Sequence, residues 1–221
     1  MDTLFKKALK AYAGSAVLED IENNGEKSLV PHNERQYLTI MFHDVCSFTN
    51  TVEGLESDQI LDSLNAYFKV STEIIHKYEG TIVQFAGNAV FSVFGYGEKP
   101  NHEVNACLAG LDIVNNINAH KAFAPLTNDI KMKIGISTGS VYVGGFGSAD
   151  KLQFMVVGDH VNFASRLSNA NPHYSSTILL SDTTRKKLPK EFLLEKKDTV
   201  TVKGKIGSID IYSLDGIASG E

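Results

Sequence analysis

The chain has 221 residues, 43% of them hydrophobic, which is enough to bury one sizeable core. A formal net charge of -5 removes the attraction to phosphate backbones and anionic membranes that a basic surface gives, so nucleic acid is not an expected partner. No apolar run approaches the roughly 18 residues of a spanning helix and the N-terminus lacks a signal-peptide core, so the expected location is cytoplasmic, alone or as the cytosolic domain of a larger protein.

Residues 4 to 22 carry an imperfect helical stripe of Leu4, Leu9, Tyr12, Val17, Leu18 and Ile21 that runs into the polar stretch 23–28. Residues 1–35 therefore read as a lead-in helix and linker, 36–216 as one domain, and 217–221 as a tail. The apolar, β-branched run Tyr37 to Phe42 predicts a core strand. From Ser57, a candidate N-cap, Ile60, Leu64, Tyr67, Phe68, Ile74, Ile75 and Tyr78 follow helical spacing as far as Gly80. Thr81–Phe85 and Ala89–Phe94 are short β-rich runs around Gly87-Asn88, a hairpin signal. A second helix carries Val104, Cys107, Leu111, Val114 and Ile117.

Ile130–Ser137 and Val141–Phe146 read as two strands around Thr138-Gly139-Ser140, and Phe154–Val157 as a short strand feeding a helix over Val161–Leu167. A strand at Thr177–Leu180, a short helix near Thr183–Lys187 and strands around Thr199–Lys203 and Ile209–Leu214 complete the chain. The order β-α-β-β-α-β predicts an α+β sandwich of the ferredoxin-like kind, with helices on one sheet face. Cys46 and Cys107 lack the paired spacing of zinc or redox motifs and are expected to be reduced, packed thiols.

Asp44 ends a strand that has almost no other charge. A carboxylate there needs a cation or hydrogen bonds to offset its desolvation, and either a metal or the turn that follows can supply them. His43 is the neighbouring candidate ligand, but adjacent strand residues point to opposite faces, so it is given a structural role. Asn162 and Arg166, four apart on one helix, share a face and can reach one ligand; a helix cap and a surface charge are the plainer alternative.

Four segments carry a resemblance. Phe42-His43-Asp44-Val45-Cys46-Ser47-Phe48-Thr49 resembles the F-x-D-[IV]-x-G-F-T signature of class III nucleotidyl cyclases, and Gly80 to Val90 is similar to that family's G-x-I-x-K-x-x-G-D-A-V hairpin. Gly135-Ile136-Ser137-Thr138-Gly139 matches the G-I-x-x-G strand, and the run from Val157 to Leu167 looks like V-I-G-D-T-V-N-x-A-x-R-L. The resemblance implies a cyclase domain that works as a dimer with active sites built across the interface. It implies a nucleoside triphosphate substrate, ATP by family, and two Mg²⁺ or Mn²⁺ ions per site.

Under that resemblance Asp44 and the Val45 backbone carbonyl correspond to metal ligands, and Phe48 and Thr49 to the backbone that holds terminal phosphates. Asn162 corresponds to the residue that orients the ribose, Arg166 to the one that stabilises charge on the α-phosphate, and Lys203 to a phosphate contact, with a solvated edge charge as its alternative. Three positions depart from the pattern. Asn88 stands where the second metal aspartate is expected, and Gln84 and Met155 stand at the base-recognition positions. A neutral amide cannot offset dicationic charge as a carboxylate does, so weak or absent activity is expected. The competing expectation is a silent dimerisation or nucleotide-sensing module, in a homodimer or a heterodimer.

Overall fold

The N-terminal apolar stripe forms two helices rather than one, α1 (Thr3–Ala13) and α2 (Ser15–Asn24), separated by Gly14 at a φ of +92°. The computed structural model describes residues 3–46, 56–119, 131–148, 150–201 and 208–218. After a short 3₁₀ turn the chain enters β1 (His32–Val45), then α3 (Ser57–Lys77), the hairpin β2 (Thr81–Ala86) and β3 (Ala89–Phe94), α4 (His102–Ala119) and β4 (Met132–Ser148). This is the expected β-α-β-β-α-β order. β5 (Lys151–Val157), α5 (Asp159–Ala170), β6 (Ile178–Ser181), α6 (Asp182–Arg185), β7 (Phe192–Thr201) and β8 (Ser208–Ile217) follow.

The eight strands form one sheet in the order β2-β3-β1-β4-β6-β8-β7, with β5 folded back on β4. α3 opens on a capping box in which Glu56, not Ser57, is the N-cap and exchanges bonds with Gln59. α3 and α4 cover one sheet face. There Met41, Tyr67, Ile75, Phe94, Ile113, Ile134 and Ile136 make the main core, each contributing about 1.5–3 kcal/mol of burial.

The expectation of helices on one face holds for α3 and α4 only. α5 lies on the opposite face, where Val161 and Ala164 join Leu38, Ile40, Phe91, Val141, Val143 and Val156 in a second cluster. The reason is written in β4, which is one continuous strand and not the two strands read around Thr138-Gly139-Ser140. A Cβ on Gly135 would stand 2.1 Å from the Ala164 carbonyl oxygen, and one on Gly139 would stand 2.1 Å from His160 Nε2. These glycines admit α5 to the sheet rather than turn the chain.

Close packing is reinforced by polar contacts. His160 Nδ1 lies 3.0 Å from Ser137 Oγ, Ser168 Oγ donates to the Lys133 carbonyl at 3.2 Å, and buried Asn171 Nδ2 donates to the Ile134 carbonyl at 2.8 Å. α5 is therefore fastened to β4 along its whole length. On the helical face a chain of buried hydroxyls crosses the sheet: Thr39 meets His102 Nδ1 and Thr138 Oγ1, each at 2.8 Å, and Thr138 meets Thr184 at 3.0 Å. Thr184 and Thr183 both meet Ser181, and Thr183 donates to the Thr138 carbonyl at 2.7 Å.

Candidate active site

Strand alternation separates His43 from Asp44, as expected. The His43 ring packs edge-on to Tyr67 among the core helices, with centroids 5.8 Å apart, and neither ring nitrogen has a hydrogen-bond partner among the described residues. Burial lowers its pKa to about 3, so it is neutral. It cannot share an ion with Asp44. Burial also pushes the Tyr67 hydroxyl up, with the Asp44 charge adding to the effect.

Asp44 points to the other face, where its cross-strand neighbour on β4 is Lys133. Lys133 Nζ lies 2.8 Å from Asp44 Oδ2, with the two side chains 17% and 19% exposed. The second carboxylate oxygen, Oδ1, is buried without a partner among the described residues. Lys133 was not singled out from the sequence. A lysine inside an otherwise apolar strand was the available signal, but only the strand register shows what it meets.

The β2–β3 hairpin turns at Gly87-Asn88, as predicted, since Ala86 pairs with Ala89. Extending the β1–β3 register from the His43–Val90 pair by two residues brings Asn88 opposite Val45. There Asn88 Nδ2 donates to the Val45 carbonyl oxygen at 3.1 Å. The amide thus touches the same carbonyl that the sequence reading nominates as a metal ligand, and it presents a proton to it rather than a lone pair.

This geometry tests the implied pair of metal ions. An anionic oxygen buried without a partner, beside a carbonyl with a spare lone pair, fits one divalent cation held by Asp44 and Val45. For a second ion the hairpin offers an amide and not a carboxylate. Asn88 brings no charge, its N–H faces the shared carbonyl, and the Lys133 ammonium already balances Asp44. Among the described residues no cluster of three His, Cys, Asp or Glu side chains forms a metal cage.

The other nominated residues fall into two groups. Asn162 and Arg166 lie on the exposed side of α5, while Phe163, Ala164, Leu167 and Ser168 face inward. Neither outward side chain has an ion pair or hydrogen bond among the described residues, and the fastening of α5 to β4 holds both in place. Gln84 on β2 and Met155 on β5 are exposed neighbours of Val83 and Phe154, which share the second apolar cluster. Phe48, Thr49 and Lys203 lie outside the described residues. Cys107 is buried, as a packed thiol should be, whereas Cys46 is only partly buried; neither is paired with the other.

A sheet with Asp44 and a hairpin turn at one strand end, and a helix carrying Asn162 and Arg166 laid across the face to which Asp44 points, is the architecture of a nucleotidyl cyclase domain. Residues 30–216 match the profile of the Adenylate and Guanylate cyclase catalytic domain, and the chain belongs to that family. It is 30% identical over 186 residues to adenylate cyclase 1 of Rhizobium meliloti (strain 1021), a match covering 83% of this chain and 28% of that enzyme. The chain thus corresponds to under a third of that relative's length. Among solved structures it resembles the adenylyl cyclase CyaB from P. aeruginosa, with a TM-score of 0.75, 29% identity, and coverage of 84% of this chain and 97% of that one. It also resembles the guanylyl cyclase Cya2, with a TM-score of 0.74, 27% identity, and coverage of 85% and 96%.

Proposed function

We propose that the chain is the cyclase domain of a cyclic-nucleotide signalling protein, converting a nucleoside triphosphate into a 3',5'-cyclic nucleotide and pyrophosphate, with turnover held low by Asn88. The single observation that carries the restraint is the Asn88 amide on the Val45 carbonyl. ATP is the preferred substrate, on the strength of the adenylate cyclase relatives. Gln84, able to donate and accept, and Met155, able to offer only apolar contact, do not impose a strict choice between bases.

In the reaction the bond from the ribose 3'-oxygen to the α-phosphorus forms, the 3'-hydroxyl proton passes to water, and the bond from the α-phosphorus to the bridging oxygen of the leaving pyrophosphate breaks. Arg166, exposed and without a partner among the described residues, is proposed to neutralise charge that grows on the α-phosphate oxygens, and Asn162 one turn earlier to hold the ribose. Phe48, Thr49 and Lys203 are proposed to hold the terminal phosphates. A divalent cation, when bound by Asp44 and Val45, supplies Lewis-acid polarisation of the phosphate. Lys133, next to Asp44, adds a fixed positive charge on the same face.

The working unit is proposed to be a dimer, most simply a homodimer. Phe85, Tyr142, Met155 and Val157 leave apolar surface exposed on β2, β4 and β5, and β2 and β5 carry the base-recognition positions. A second reading, a silent nucleotide-sensing or dimerisation module that can pair with a different chain, is favoured by the internally balanced Asp44–Lys133 pair.

The deciding experiment is a paired assay of the chain and Asn88→Asp with Mg²⁺ or Mn²⁺ and each of the four common nucleoside triphosphates. Little product from the parent and a gain on the order of 10²-fold or more in the variant are expected. Robust turnover by the parent overturns the restraint. Silence in both chains favours the sensing module.

A further inference from the structure

His32 stands first in β1, and its ring is held at both nitrogens. Nδ1 lies 2.8 Å from the Val30 carbonyl oxygen, while Nε2 lies 3.0 Å from Asp20 Oδ1 and 2.9 Å from Oδ2. A carbonyl and an ionised carboxylate only accept, so each bond needs a proton on the ring nitrogen it meets. A neutral imidazole carries one such proton. Only the imidazolium satisfies both.

The two partners belong to different parts of the fold. Asp20 lies on α2, whereas Val30 immediately precedes β1. The ring also rests against β4, where a Cβ on Gly145 would stand 3.1 Å from His32 Cε1. We propose that His32 is a pH-sensitive latch, docking α2 onto the sheet while the ring carries both protons and loosening it when one is lost.

The surrounding charges favour the closed state. α2 presents Asp20 and Glu19, the 3₁₀ turn presents Lys27, β1 presents Glu34, and Tyr96 follows β3, while β4 contributes only the uncharged Val143 and Gly144; together they line a cavity of about 450 Å³ bordered by the latch. The bond to the Val30 carbonyl is the leading cause that raises the His32 pKa, with Asp20 and Glu34 adding to it against partial desolvation. A folded value above 6.5 means that the latch contributes fully below pH 6.5 and is lost as pH rises through the folded value. β1 runs from this latch to Val45, so the helix docks at the far end of the strand that carries Asp44.

The test is amide hydrogen exchange on the full chain between pH 6 and 9, corrected for intrinsic rates. Protection of α2 is expected to fall about tenfold as pH rises, while the amides paired between β1 and β4 stay protected. His32→Ala is expected to show the low level at every pH. Asp20→Asn, which removes the charge but not the acceptor, is expected to move the transition to lower pH. A flat profile in the parent overturns the latch, as does an unchanged transition in His32→Ala. Should His32→Ala fail to fold, an unmoved midpoint in Asp20→Asn overturns it equally.

Discussion

Asn88→Asp is expected to reverse the stability relation between the protein and divalent cations, apart from any effect on catalysis. The substitution replaces the N–H that donates to the Val45 carbonyl at 3.1 Å with a carboxylate oxygen facing that same carbonyl. The lost hydrogen bond costs about 1 kcal/mol, and the contact between two oxygens beside Asp44 adds about as much again. At roughly 2–4 °C per kcal/mol for a chain of this size, the cation-free variant should melt about 4–8 °C below the parent. A cation at 100 times its dissociation constant returns about 2.7 kcal/mol, enough to restore or exceed the parent's melting point. Differential scanning calorimetry at fixed ionic strength, with and without Mn²⁺, reads both halves. A variant that is as stable as the parent without cation, or that responds to Mn²⁺ no more than the parent, refutes the role assigned to the Asn88 amide.

Lys133→Met leaves the Asp44 carboxylate without its cation. Because the pair is about a fifth exposed, the loss should be about 2–3 kcal/mol in urea unfolding, below that of a fully buried pair. Gly139→Ala drives a methyl into the His160 ring and should cost more than about 2 kcal/mol, read by the same titration, with chemical-shift changes concentrated in α5. Arg166→Ala touches no partner among the described residues, so stability should stay within about 0.5 kcal/mol while cyclase activity, measured in the Asn88→Asp background, falls on the order of 10²-fold.

Much of this architecture can be read from the chain, because its long strands and helices have consistent local patterns. α3 shows its apolar spacing over twenty-one residues, and the β2–β3 hairpin announces itself in Gly87-Asn88. Thr138-Gly139-Ser140 misleads for a physical reason. A glycine in a strand signals either a turn or the close approach of another element, and nothing local distinguishes a chain that bends from one that makes room for His160. β7 is longer than its sequence suggests because Phe192 and Leu194 pack into the main core from an edge strand whose middle, residues 195–198, is all charged.

The candidate site divides in the same way. Asp44, Asn88, Asn162 and Arg166 are visible as motif positions in one sequence. The bond from Asn88 to Val45 and the pairing of Lys133 with Asp44 are not, because both depend on which strand lies beside which and in what register. Sequence shows an amide where the resemblance implies a carboxylate; the fold shows that amide on the Val45 carbonyl and an ammonium beside Asp44.

The buried hydroxyl chain can be followed as a series of proton donations. Thr183 gives its only hydroxyl proton to the Thr138 carbonyl, so Ser181 must donate to Thr183, and Thr184 to Ser181. Thr138 then donates to Thr184, and Thr39 to Thr138, which leaves Thr39 able only to accept from His102 Nδ1. A carbonyl on β4 therefore fixes the tautomer of a histidine at the start of α4, several side chains away, and leaves Nε2 as the one nitrogen at which that ring can gain or lose a proton.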